Sequence, residues 1–117
     1  YGTPTFVFDV EEFWRRLDKV ADIFDDEVRL CFAMKANPFL AGAAADHGIR
    51  LEVCSPGELA ICEDVGISAS QIVYSGVNKQ AEDVSRAIRY RVGVLTAESK
   101  LRNARHRHPP RSRCSCD

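Results

Sequence analysis

Residues 28–38 read Val-Arg-Leu-Cys-Phe-Ala-Met-Lys-Ala-Asn-Pro. Val28, Leu30, Cys31, Phe32, Ala33 and Met34 make an apolar run broken only by Arg29. A short run that is apolar on both faces predicts a fully buried parallel strand, here Val28 to Ala36. Lys35 closes it, and Asn37-Pro38 then supplies a stop and a new helix start. A lysine at the end of a buried strand is costly unless it snorkels to water, is paired or is held neutral. A neutral lysine is a nucleophilic amine that can form a Schiff base with an aldehyde. A strand-end lysine reaching solvent is the plainer alternative.

Outward from this stretch the chain becomes rhythmic. Arg50–Cys54, Gln71–Tyr74 and Val92–Thr96 give further strands, and strand starts recur every 21 to 22 residues. Helical patterns lie between them. One starts at Asn37-Pro38 and stops at Gly48. A second starts at Ser55-Pro56, with Glu58 behind it, and stops at Gly66. A third, around Ala81 to Tyr90, carries Val84, Ala87 and Ile88 on one face. Alternating strand and helix predicts a parallel sheet with right-handed crossovers. An open doubly wound sheet and a (β/α)8 barrel both satisfy that pattern. No G-x-G-x-x-G follows the first strand, which weakens a dinucleotide fold. A whole barrel needs about 250 residues, so in a barrel these four units are the first half.

Upstream, Thr3 to Asp9 alternates and predicts a strand. Asp9 reads as a helix N-cap, with Glu12 completing a capping box. Val10, Phe13, Trp14, Leu17, Val20, Ala21 and Phe24 then share one helical face, with Trp14 as a core anchor. Asp25, Asp26 and Glu27 read as a solvated turn.

The chain has 117 residues, room for one domain, and its apolar fraction of 45% argues against disorder. There is no run of about 18 apolar residues, so no membrane span is expected. The opening residues lack the basic-then-apolar order of a signal peptide, so a cytoplasmic protein with reduced thiols is expected. Of five cysteines, Cys31, Cys54 and Cys62 read as small core residues. Residues 1–99 hold ten basic against sixteen acidic side chains, whereas residues 100–117 hold six against one. The break marks a boundary near Ser99, between a domain at 1–99 and a basic tail at 100–117, expected to be disordered, that has one large apolar residue, Leu101. That tail has three readings: a shifted coding frame, a basic arm for an acidic partner or nucleic acid, or a metal site from His106, His108, Cys114 and Cys116. The H-x-H and C-x-C spacings do not match the usual structural zinc patterns.

In a barrel, chemistry sits at the carboxyl ends of the strands. Those ends offer Lys35 and Asn37, then Glu52 and Ser55, then residues 75–79, then Thr96. Each has a plainer role. Ser55 with Glu58 is a capping box, and Asn78 reads as an N-cap. Glu52 sits inside an apolar strand and needs a partner such as a lysine. His47, just before a helix-ending glycine, suits the negative end of that helix.

Together these residues resemble a known family. The segments are Thr3-Pro4 with Phe6-Val7-Phe8-Asp9, Phe32-Ala33-Met34-Lys35-Ala36-Asn37, Glu52-Val53-Cys54-Ser55-Pro56-Gly57-Glu58-Leu59, and Ile72-Val73-Tyr74-Ser75-Gly76 with Lys79. In this order they are similar to the amino-terminal part of the diaminopimelate decarboxylases, within the alanine-racemase-fold pyridoxal phosphate (PLP) decarboxylases. The resemblance covers about residues 2–99. It implies the amino-terminal half of a PLP-binding (β/α)8 barrel, with Lys35 as the lysine that holds PLP as a Schiff base. Glu52 falls where the family usually has Asp, in the shell around lysine and cofactor, and its carboxylate reaches one bond further. Ser55 falls where a strand end borders the cofactor. The strand at residues 3–9 would join the family's second, sheet domain. The implied reaction is decarboxylation of meso-diaminopimelate to L-lysine, with an amino acid as the partner and no nucleic acid, membrane or metal. Family members are homodimers, an assembly not expected of these residues alone, and little activity is expected of them alone either. Ornithine- or arginine-type decarboxylases, and a non-enzymatic binding protein using the basic tail, are the alternatives.

Overall fold

Strand order decides between the two closures that the repeat allows. A computed structural model describes residues 2–25 and 27–97. In it β1 (Cys31–Ala33), β2 (Arg50–Val53), β3 (Ile72–Tyr74) and β4 (Val94–Leu95) form one sheet. They are parallel throughout and lie side by side in chain order. A doubly wound sheet reverses its order at a switch point. This sheet has no reversal among the described residues, and it forms the amino-terminal half of a (β/α)8 barrel.

Register explains the core. Phe32, Leu51 and Ile72 are aligned across three strands, and Val53 aligns with Tyr74 and Leu95. Alternation sends these rows to one face of the sheet. There they pack beneath α2 (Ala41–Asp46), α3 (Pro56–Val65) and α4 (Ala81–Tyr90). Ala41 and Ala44 of α2, Leu59 and Cys62 of α3, and Ala87 of α4 complete one buried cluster with Met34 and Ile67. Leu51, Val53, Leu59 and Ile72 are fully buried. Each such side chain contributes roughly 1.5–3 kcal/mol relative to an exposed one.

Local chemistry ends the helices where the pattern predicts. The Asn37 side chain accepts from Phe39 N–H at 3.2 Å and starts a single 3₁₀ turn, Pro38–Leu40, which leads into α2. The Ser55 hydroxyl accepts from Glu58 N–H at 3.2 Å. Gly48 and Gly66 lie at φ 80° and 77°, the left-handed conformation that glycine adopts without a Cβ clash. The start of α4 differs from expectation. Its cap is Gln80 in a reciprocal box with Asp83, not Asn78. Ile88 is exposed on α4, because the buried face runs through Val84 and Ala87.

Three further differences fall where a strand or a helix layer is missing among the described residues. β1 covers only Cys31–Ala33 of the expected Val28–Ala36. The Ile49 N–H is committed to Ala44 O at 3.0 Å, so β2 starts at Arg50, opposite Cys31, and residues before Cys31 have no ladder partner there. Cys31 is exposed, not core, because it projects from the face that no helix among the described residues covers. Residues 3–9 are in no strand, with Phe6 and Val7 fully exposed and no neighbouring strand among the described residues.

Helix α1 (Val10–Ala21) docks through half-buried Phe13, whose ring meets that of Phe32 edge-on at 5.9 Å, and through polar contacts at Trp14, without a fully buried stripe. Asp9 caps it by accepting from Glu12 N–H at 3.0 Å. The Glu12 carboxylate does not turn back to close the box; it binds Arg15 and Arg16 at 2.6–2.7 Å. Trp14 donates its indole N–H to Ala43 O at 2.7 Å and stacks on His47 at 5.3 Å. His47 Nε2 in turn lies 2.7 Å from Asp18 Oδ1. The expected core anchor is therefore a docking anchor, and no residue of α1 is fully buried. The composition break near Ser99 and the tail lie outside the described residues.

Candidate active site

Three strand ends converge on an open cleft of about 480 Å³. It is lined by Lys35, Glu52, Cys54, Ser55 and Pro56 on one side and by Ser75, Gly76, Val77 and Asn78 on the other. That volume lies in the range of small-molecule sites, about 300–1,000 Å³. No described helix is long and apolar enough to cross a membrane. Among the described residues, no three metal-capable side chains cluster.

Lys35 reaches the cleft because its neighbour does not. The chain leaves β1 in a single 3₁₀ turn, Met34–Ala36. Met34 is fully buried there, with its sulfur 3.6 Å from that of Cys62. Burying Met34 sends the next side chain the other way, and Lys35 is exposed at the cleft. It makes no hydrogen bond or ion pair with another described residue. The long unbroken strand expected through Lys35 is thus replaced by a turn, and the amine stands accessible at its mouth.

Glu52 and Ser55 come from β2 and its exit. Alternation puts Glu52 and Cys54 on the face opposite Leu51 and Val53. Glu52 is half-buried, and its expected partner is a hydroxyl, not a lysine: Ser75 donates to Glu52 Oε1 at 2.7 Å. The Ser55 oxygen is used in capping α3, but its O–H remains a donor at the cleft wall. Glu58 completes the cap one residue early, accepting from Cys54 N–H at 2.7 Å instead of from Ser55 N–H. The sequence grouped Ser55 and Glu58 correctly but could not show which amide the carboxylate would take.

The third wall depends on a close backbone approach. A Cβ at Gly76 would lie 2.0 Å from Cys54 O, so only glycine lets β3's exit cross that of β2. Lys79, the second lysine at this edge, is buried. It donates to Gly76 O, approaches Thr96 Oγ1 at 3.5 Å and lies over the Tyr74 ring. Burial pushes the Tyr74 hydroxyl above its usual range, with the Asp83 and Glu58 carboxylates adding to the shift. The two strand-end lysines thus have opposite settings: Lys79 braces a loop, and Lys35 faces the cleft.

The parallel sheet, the one-sided helices and an accessible lysine at the carboxyl edge define the opening part of a barrel enzyme's binding domain. Residues 10–109 match the family model described as pyridoxal-dependent decarboxylase, pyridoxal binding domain, and the chain belongs to that family. The match extends ten residues past Ser99. Similar curated proteins include the diaminopimelate decarboxylase of Zymomonas mobilis, 36% identical over 105 residues. That of Mycobacterium tuberculosis is 32% identical over 103 residues. These alignments cover 85% of this chain and 25% and 23% of the respective relatives. The chain therefore spans about a quarter of the length of the curated relatives it matches. A crystal structure of an Aquifex aeolicus protein superposes with a TM-score of 0.73 at 26% identity, covering 91% of this chain and 27% of that one. The crystal structure of lysine decarboxylase from Selenomonas ruminantium gives 0.67 at 27% identity, covering 83% and 25%.

The family's cofactor is PLP, and the residues present suit it. An accessible primary amine, a carboxylate and hydroxyl donors border a cleft of suitable volume. The amine can bind an aldehyde, and the others can donate to or orient polar groups beside it.

Proposed function

We propose that this chain carries the lysine-bearing part of the active site of a diaminopimelate decarboxylase. The whole enzyme would convert meso-diaminopimelate to L-lysine and carbon dioxide. The observation that carries this reading is the contrast at the cleft, where Lys35 is exposed and Lys79 is buried and engaged. The diaminopimelate decarboxylases among the curated relatives support the choice of substrate.

In this reading Lys35 holds the cofactor covalently, Glu52 presents a carboxylate to it, and Ser55 borders it with a free O–H. PLP supplies the electron sink that makes loss of a carboxylate feasible. The Met34 anchor keeps the Lys35 amine at the cleft, and the hydroxyl on Glu52 keeps that carboxylate from swinging into water. The expected division also belongs to this proposal. Residues 1–99 are a partial barrel domain whose first nine residues go to the second, sheet domain. Residues 100–117 are a basic tail set apart by composition, although the family match enters it. Reading the gene past the Ser99 codon in all three frames tests that division. A barrel pattern continuing in another frame makes the tail a product of a shifted frame, and its absence in every frame makes the tail genuine and favours the non-enzymatic binding reading.

Reductive trapping tests the site. Borohydride treatment with PLP should leave a phosphopyridoxyl mass on Lys35 and none on Lys79. Label on Lys79 instead of Lys35 would overturn the assignment. The 117 residues alone are expected to release little or no carbon dioxide from diaminopimelate. A decarboxylase of another basic amino acid is the second reading, favoured by the likeness to the Selenomonas ruminantium lysine decarboxylase structure.

A further inference from the structure

Glu52 and Ser75 belong to neighbouring strands, yet their side chains meet over the cleft. β2 and β3 align Val53 with Tyr74, and the ladder continues with Ser75 N–H donating to Val53 O at 2.8 Å. Alternation therefore puts Ser75 on the same open face as Glu52 and Cys54. The Ser75 hydroxyl donates its one hydrogen to Glu52 Oε1 at 2.7 Å. Its oxygen also lies 3.4 Å from Cys54 Sγ. With the hydroxyl hydrogen committed to the carboxylate, Ser75 can only accept from the thiol. The three groups form one directed chain, from the Cys54 S–H through the Ser75 O–H to the Glu52 carboxylate.

A glutamate has one more rotatable bond than an aspartate, so strand position alone does not fix where its carboxylate sits. Here a hydroxyl from the next strand does. We propose that Ser75 is the positioning residue for Glu52, clamping its carboxylate to the cleft wall in line with Cys54. The purpose of the clamp rests on the cofactor reading above, but the clamp itself does not require the cofactor.

Alkylation of the full chain at pH 8 with iodoacetamide, followed peptide by peptide by mass spectrometry, reads the clamp without PLP. In the wild type the Cys54 S–H is engaged by the Ser75 oxygen, which ties the sulfur into the chain of contacts and slows its reaction. Ser75→Ala removes that acceptor. Glu52→Gln removes the negative charge and weakens the hydrogen bond that fixes the hydroxyl beside the sulfur. Each is expected to speed Cys54 alkylation about three- to tenfold, because each loosens the contact that engages the sulfur. The double variant should be no faster than the faster single one, and Ser75→Thr should keep the wild-type rate. Cys31, exposed and outside the chain of contacts, is the internal reference. Cys62 is buried, and burial above all, with Glu58 and Glu63 nearby, pushes its thiol up to about 11, so it stays unlabelled while the fold is intact. If Ser75→Ala exposes Cys62, the comparison of Ser75→Thr with Glu52→Gln decides alone.

Equal Cys54 rates in the wild type, Ser75→Ala and Glu52→Gln would overturn the clamp, as would accelerations that multiply in the double variant. A parallel trapping series with PLP and borohydride links the clamp to the site. Ser75→Ala should lower the phosphopyridoxyl yield on Lys35 about three- to tenfold, and Ser75→Thr should restore it. Absence of trapping in the wild type would count against the cofactor reading alone, because the Cys54 rates judge the clamp independently.

Discussion

On one face of the sheet Leu51, Val53, Ile72 and Tyr74 are at most 1% exposed beneath the helices. On the other, Cys31 and Val94 are exposed, and Glu52 and Val73 are half-buried. The same four strands supply both faces, residue by alternate residue. The covered face needs apolar side chains of matching size and carries most of the stabilising burial. The open face holds a carboxylate and a thiol at the end where the cleft lies. The candidate site draws on positions that the core does not constrain, so substitutions on the two faces should separate stability from chemistry.

The largest expected effect tests the covered face. Leu51→Ala should destabilise by about 2–5 kcal/mol, from lost burial and the cavity left behind. Val73→Ala, one register position away in β3 on the open face, should cost about 1 kcal/mol or less. Urea unfolding of both variants measures the difference, and equal losses would mean that the open face is packed in solution. Next comes the crossing of the two strand exits. Gly76→Ala puts a Cβ against Cys54 O and should cost about 1–3 kcal/mol. The same shift should move the cleft wall, so trapping at Lys35 should fall along with stability.

The two lysines sharpen the comparison at a smaller scale. Lys79→Ala leaves Gly76 O without the buried ammonium that it accepts from, and should cost about 1–3 kcal/mol. Lys35→Ala should stay within about 0.5 kcal/mol of the wild type, because that side chain is exposed. A stability loss at Lys35 as large as that at Lys79 would remove the argument that separates them.

Much of this was legible from residues that act locally. The recurrence of apolar runs after Val28 gave four strands, and Asn37, Ser55, Gly48 and Gly66 marked helix ends by chemistry confined to one turn. Lys35, Glu52 and Ser55 were legible as strand-end groups, and all three line the cleft. What was hidden depends on distant neighbours. Cys31 reads as core until register puts it on the uncovered face. Trp14 and His47 are 33 positions apart, and no periodicity announces their stacking. Ser75 was visible as a strand-end hydroxyl. Only the β2–β3 register brings it to Glu52, and only the strand crossing at Gly76 makes room for it.

The smallest expected effect lies outside the sheet, on α1, and tests how much an exposed charge cluster adds to the helix's first turns. Glu12 was expected to close a capping box on Asp9, but it binds Arg15 and Arg16 one turn on. Hydrogen bonds from Arg15 and then Arg16 hold its carboxyl down at about 2, against an ordinary value of 4.5. A depressed carboxyl stabilises the fold above its unfolded value and stops doing so as pH falls through the folded one. The contribution should therefore be complete above about pH 4.5 and fade toward pH 2. NMR titration of the Glu12 carboxyl in the full chain measures the midpoint directly. Because the cluster is exposed, added salt should raise that midpoint, and Glu12→Gln should change stability little. If the midpoint stays near the ordinary value at low salt, the arginines are not holding the carboxylate. The first turn of α1 would then rest on the Asp9 cap, and the helix on Phe13 against Phe32 and the indole of Trp14 against Ala43.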